Sequence, residues 1–346
     1  MINQERIASL DIARGLAVVM VVLLHASEVA GASRAIGSVN EVFAGIRMPL
    51  LFLISGFLTA SLMGSGQRLI TRTTQFLWLF SLWSVVGWIA AAALSHAMPA
   101  PAALVQEFAR PTTTLWFVWA LALMTASLPL LRPIPRPIQL IVGAAVSMAV
   151  YAKLFETSIY TYDHLLRQGV FFYLGVYGAA PLARMLRRPL MPALTIAVVS
   201  LLVLRLVDAH FVATSGWRVL TLPERFAASI ATLYAAGCVA RVDVVRRPFA
   251  WLGRNTLPIF VGHGLFLMLA DTLFDFSGAR SSARVLLLTV AAIGGALCLR
   301  AVLVRFGFRW MYSLPEALRT KTGGVVASQA VGAVPPSESG AIAASR

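Results

Sequence analysis

The sequence predicts an all-α, polytopic transmembrane helical bundle of about ten spans, with both termini in the cytoplasm. Three observations predict it: an apolar composition, ten apolar segments of near-membrane length, and arginines gathered in alternate loops. Of the 346 residues, 59% are hydrophobic and 12% are charged, against about 25% charged in soluble domains. Mean hydropathy is +0.80, and no soluble shape of this size could bury so much apolar surface. The net charge of +15 would suit a nucleic-acid partner if the basic residues formed a stripe. They punctuate short loops instead, as the positive-inside rule requires, so the partner they imply is membrane lipid. Cys238 and Cys298 each lie in an apolar run, which implies neither a disulfide framework nor a thiolate metal site.

The apolar segments run about 10–32, 43–63, 75–97, 114–131, 138–153, 169–186, 190–210, 226–242, 255–276 and 284–306. Each approaches the ~20 residues needed to cross hydrocarbon. The fifth and eighth are the shortest. Arg6 with Gly15–Leu24 and the "AGA" at Ala30–Ala32 could mimic a signal peptide. The charges of Asp11 and Arg14 and the polar His25 and Glu28 favour a retained first span. One set of loops holds Arg6, Arg68 with Arg72, Arg132 with Arg136, Arg187 with Arg188, Arg241 with Arg246 and Arg247, then Arg309, Arg319 and Lys321. The other set carries "MPAPAALVQEFARPTTT" and "FETSIYTYDHLLRQ". The first set is therefore cytoplasmic, which an even number of spans accommodates. Residues 1–314 form the membrane domain; 315–346, rich in Gly, Ala, Ser and Pro, read as a disordered cytoplasmic tail.

The chemistry begins in "DIARGLAVVMVVLLHAS". An ionisable residue inside a span is a functional hypothesis by default. Arg14 and His25 are eleven helical steps apart, about 1100° of rotation, so both lie on one helix face about 16 Å apart. Asp11 lies three residues before Arg14 and Glu28 three after His25, each a neighbour on the helix surface. Glu28 can thus fix the His25 tautomer. In "MPLLFLISGFLTA", Ser55 and Gly56 offer a small surface for close helix approach. "GSGQRLITRTTQFLW" reads as the loop after the second span; wherever it is helical, Arg68 and Arg72 form one cationic patch, able to grip phosphates or anionic lipid. Trp116 and Trp119, in "TTTLWFVWALAL", suit an interfacial aromatic belt. His263, between two glycines in "PIFVGHGLFLML", is a further intramembrane ionisable group. His96, His164 and His210 sit near loops and carry no expected role.

These patterns resemble the acyltransferase-3 family of integral membrane O-acyltransferases. In its first helix a basic residue, ten residues and a histidine recur, as Arg14 and His25 do here. "LLFLISGFL" is similar to the family's second-span motif through Phe52, Ser55, Gly56 and Phe57; "LWF" at Leu115–Phe117 and "FVGHGLF" resemble later ones. The likeness extends over most of residues 6–306. The family's basic motif has two arginines three apart, whereas Arg68 and Arg72 are four apart, and Arg72 is the closer equivalent. Unlike in longer fused members of the family, no soluble hydrolase-like domain is expected after the membrane part.

The resemblance implies transfer of an acyl group, commonly acetyl, from cytoplasmic acyl-CoA to a hydroxyl of a carbohydrate or related acceptor, as in polysaccharide O-acetylation at a bacterial inner membrane. It implies no bound cofactor or metal; acyl-CoA is a substrate. Arg72, with Arg68, would hold the nucleotide phosphates, and Arg14, counted among both the donor-binding and the catalytic residues, would sit along the pantetheine path or near the thioester. His25 would be the general base, oriented by Glu28, or would carry the acyl group covalently. Ser55, Gly56, Trp116 and His263 would line the substrate pocket. The same ionisable residues admit a proton-coupled secondary transporter or a non-catalytic scaffold. The lack of a visible internal repeat and the clustered arginines weigh against the transporter, and a scaffold does not require Arg and His on one face.

Overall fold

The computed structural model describes residues 8–31, 33–95, 100–186, 190–215, 218, 220–273 and 282–318. Each of the ten apolar segments is helical there. The first is α1 (Ala8–Ala30); the second combines α2 (Arg34–Ala44) and α3 (Arg47–Thr59). Next come α4 (Gly66–Ser95), α5 (Pro101–Ala109), α6 (Trp116–Leu130) and α7 (Arg136–Tyr151). The sixth segment is two helices, α8 (Tyr160–Tyr177) and α9 (Ala179–Leu186), bent by 76°. The chain continues through α10 (Leu190–Ser215), α11 (Thr221–Val239), α12 (Asp243–Arg254), α13 (Thr256–Leu273) and α14 (Ser282–Arg305). No strand occurs among the described residues.

Among the described residues six helical segments are long and apolar enough to cross a membrane, or seven if the bent pair counts as one. The α6 and α7 helices are apolar but only 15 and 16 residues long. Arg6, His96, Arg187, Arg188, Arg319 and Lys321 lie outside the described residues, as does the chain from 319 on.

The α1 helix is the hub, packed against α3, α11, α12, α13 and α14. Ala13, Val18, Val22 and Ala26 are fully sealed, as expected of a helix with other helices packed around it. Two glycine crossings set the spacing around it. A methyl group on Gly253 of α12 would stand 1.7 Å from the Asp11 carbonyl oxygen of α1. On Gly56 of α3 it would stand 2.0 Å from the Phe172 carbonyl oxygen of α8. Without a Cβ at these positions the backbones touch, and dispersion replaces the hydrophobic drive that lipid removes. At the periphery, α10 packs on α11 and leaves Met191, Ile196, Leu202 and Leu206 more than half exposed. Those faces suit lipid.

Beyond α14 the chain turns at Gly307 (φ +87°) and runs back along α4. There the Trp78 indole donates to the Trp310 carbonyl at 2.8 Å and the Trp83 indole to the Met311 carbonyl at 2.9 Å.

Three expectations need correcting. The stretch read as a loop after the second span is mostly the start of α4, so Arg68 and Arg72 stand one turn apart on a helix. Trp119 is no interfacial anchor: it is buried, and its indole donates to the Phe108 carbonyl at 3.2 Å. His164, expected to lie idle near a loop, packs between Trp116 and Tyr160, with ring centroids 5.4 and 4.1 Å away. In each case a partner distant in sequence supplies the environment.

Candidate active site

The two ends of α1 carry different chemistry. At the later end, His25 Nδ1 lies 2.7 Å from Glu28 Oε2, one turn on. A carboxylate only accepts, so Nδ1 carries a proton, and in the neutral imidazole Nε2 keeps its lone pair. The His25 side chain is 26% exposed and Glu28 59%, leaving the imidazole reachable. His263 of α13 stacks on it, centroids 5.6 Å apart and planes 30° apart.

His263 is wholly buried. Its Nδ1 sits 2.9 Å from the Phe260 carbonyl and 3.1 Å from that of Ile259, so it too donates. Its Nε2 has no hydrogen-bond partner among the described residues. Two imidazoles with unprotonated Nε2 atoms thus lie face to face. A buried acceptor without a partner calls for a donor from elsewhere.

Arg47, at the start of α3, completes this end. It is buried, donating to the Met20 carbonyl at 3.2 Å, the Asn40 side chain at 3.2 Å and the Asn40 carbonyl at 3.1 Å. Asn40 in turn donates to Ser27 Oγ at 2.9 Å, tying the cluster to α1. Arg47 and Tyr160 both lie within electrostatic reach of Glu28. Sequence reasoning missed Arg47 and Tyr160. Arg47 gave the same signal as Arg14, a guanidinium at the head of an apolar run.

Trp116 touches this end indirectly, through His164 and through Phe52 at 6.2 Å. Phe52, Phe117, Phe260 and His263 continue as ring contacts 4.8 to 5.7 Å apart. Beside Tyr160 opens a cavity of about 410 Å³, whose lining includes Arg110, Thr112, Ser158 and Thr161. Glu107 holds that rim by accepting from the backbone N–H groups of Thr112 and Thr113 at 2.9 and 3.0 Å.

At the earlier end of α1, Arg14 and Arg72 are close enough for each charge to be felt at the other. The Arg72 guanidinium lies 4.4 Å over the Phe76 ring and donates to Gln75 Oε1 at 3.3 Å. Arg68 is exposed one turn before it. Nearby in the chain's α12–α13 corner, Arg300 of α14 donates to Asn255, a pair with no local sequence signal. Arg300 also lies within electrostatic reach of Tyr312, whose hydroxyl is pushed above the ordinary phenol range by burial.

The structure therefore brings His25, Glu28 and His263 together, and Arg14 with Arg72 at the opposite end. Gly56 is sealed in the α3–α8 crossing, and half-buried Ser55 offers its carbonyl to Thr59. No group of three or more His, Cys, Asp or Glu side chains suited to a metal occurs among the described residues.

Such a bundle can hold an anionic ligand at one end of α1 and remove a proton at the other. No curated protein and no solved structure is significantly similar to the chain. Residues 7–301, nearly the whole helical bundle, match a family model described as an acyltransferase domain. The chain thus belongs to the acyltransferase-3 family, membrane acyltransferases that join an acyl donor to a hydroxyl acceptor.

Proposed function

We propose that the protein moves an acyl group, acetyl first among them, from acyl-CoA to a hydroxyl of a carbohydrate or related acceptor. The observation that carries this reading is His25, held through Nδ1 by Glu28 at 2.7 Å, on the α1 face whose other end presents Arg14 within electrostatic reach of Arg72. In the topology proposed here ten helical segments cross the cell membrane and both termini are cytoplasmic. The arginine end then faces the cytoplasm, where acyl-CoA is found, and the His25 end faces outward.

The phosphates of the donor dock on Arg72 and Arg14, since guanidinium forks match phosphate oxygens in pairs. About 16 Å of α1 separates Arg14 from His25, and the pantetheine arm runs along that face. The acceptor enters from the side of the Tyr160 cavity. His25 Nε2 takes the hydroxyl proton as the oxygen attacks the thioester carbonyl. Glu28 stabilises the imidazolium that forms. Collapse of the tetrahedral adduct expels the CoA thiolate, which recovers the proton from His25. His263 Nε2 faces the same region and accepts a hydrogen bond from a substrate group. Attack by His25 itself, giving an acyl-imidazole, balances equally well.

The deciding experiment supplies radiolabelled acetyl-CoA to the purified full chain and follows both label on glycan and free CoA. His25→Ala should lose transfer and keep acetyl-CoA affinity. Wild-type transfer by that variant would refute the assignment. Loss of affinity together with transfer would put His25 on the donor path.

A further inference from the structure

Two arginines near the His25 end are not used by the proposed chemistry: Arg167 on α8 and Arg225 on α11. Neither guanidinium makes a hydrogen bond or ion pair among the described residues, and the Nε of each is buried without a partner. Both lie within electrostatic reach of Tyr151, and Arg225 sits 5.9 Å over its ring. The Tyr151 hydroxyl lies beside Gln168 without reaching hydrogen-bond geometry, and the buried Gln168 Oε1 is also unpartnered. Four unsatisfied polar atoms from three helices thus converge on one place. Native structures leave few such atoms, and several together point to a missing ligand.

The charge balance says which kind. The Arg225 guanidinium packs against Gly45, two residues before Arg47, and Tyr160 lies within reach of Arg47, Arg167 and Glu28. The nearby acids are already engaged. Glu28 holds His25; Glu224 pairs with Arg205 at 2.8 Å; Asp163 accepts the Thr157 N–H at 2.7 Å. A guanidinium partly buried between helices is costly unless an opposite charge meets it. Planar forks with a phenol donor fit the oxygens of a carboxylate or phosphate.

We propose that Arg167 and Arg225, with Tyr151, bind an oxyanion carried by the acceptor, so that this enzyme acylates acidic saccharides such as uronic acids or sugar phosphates. The proposal rests on the acyltransferase reading and adds the acceptor's class to it. Tyr160, which lies near both Glu28 and Arg167, places the anion site beside the base. The sugar can therefore be tethered by its charge while a hydroxyl faces His25.

The test measures thermal unfolding of the purified full chain in neutral detergent, without acetyl-CoA, against glucuronate, glucose 6-phosphate, glucose and inorganic phosphate. The acidic sugars should bind about tenfold or more tighter than glucose. Arg167→Gln and Arg225→Gln should each erase most of that preference, as expected when hydrogen bonds to a charged group are lost. Arg225→Lys should keep part of it, which separates a lost charge from a lost fold. Acetyl-CoA affinity should stay unchanged in all three variants.

Equal binding of glucose and glucuronate would overturn the proposal. So would inorganic phosphate matching the sugars, which marks a free-anion site, or suppression of sugar binding by phosphatidylglycerol nanodiscs, which marks a lipid headgroup site. Weakened acetyl-CoA binding in Arg225→Gln would move the cluster to the donor. Acidic-sugar binding in a protein that transfers no label would refute the acyltransferase reading alone.

Discussion

The two ends of α1 solve opposite problems with the same helix. Around Arg14 and Arg72, charge is left close to like charge and cushioned by an aromatic ring and an amide. Around His25, the groups that flank the two imidazole Nε2 atoms are tied down: Glu28 fixes one imidazole, backbone carbonyls fix the other, and Asn40 fixes Arg47. A site proposed to bind a polyanion gains from two guanidinium groups held within reach of each other, because the ligand brings the opposite charge. A site that moves a proton gains from fixed tautomers, because the lone pair must stand ready before the substrate arrives. Binding end and chemical end can therefore be separated by mutation.

The sharpest break is His25→Ala. Transfer should fall by about 10²–10⁴-fold or more, as expected for loss of a general base. Acetyl-CoA affinity and expression should barely change, because the base meets the acceptor and one small polar side chain has become apolar. Affinity by calorimetry beside label transfer checks this, and a parallel loss of both would merge the two ends.

Glu28→Gln should be milder, on the order of 10-fold to 1000-fold in kcat, since orientation is impaired while the base survives. The exposed position of Glu28 keeps folding cost small. An effect equal to that of His25→Ala would give the carboxylate a direct role in proton transfer.

At the arginine end the signature reverses. Arg72→Ala should raise the KM for acetyl-CoA by about 10- to 100-fold with kcat nearly kept, because phosphate contacts persist from ground state to transition state. Arg68→Ala, at an exposed site, should do much less. Should Arg68→Ala prove the worse, the phosphate site lies one turn earlier. The smallest effect belongs to Trp83→Phe, which removes the hydrogen bond to the Met311 carbonyl. It should lower stability by about 0.5–1.5 kcal/mol, read as a lower melting temperature, with KM and kcat held.

Relations within one helix were legible before any coordinates. The shared face of Arg14 and His25 follows from 3.6 residues per turn, and so does the His25–Glu28 contact one turn apart. The ten apolar segments all became helices for a related reason: in hydrocarbon the backbone must satisfy itself locally. Gly56 was recognisable as a point of close approach, but its partner, the Phe172 backbone, was not.

Only tertiary structure decided what each face meets. The stacking of His263 on His25 joins residues more than two hundred positions apart, and apolar segments carry no periodicity that orders helices around a hub. For the same reason His164 looked idle and Arg47 went unremarked. Their roles come from neighbours on other helices. Arg167 and Arg225, whose guanidinium groups meet no hydrogen-bond or ion-pair partner among the described residues, were the least legible of all: the sequence puts an arginine beside an apolar segment, and only packing decides whether a carboxylate comes to meet it.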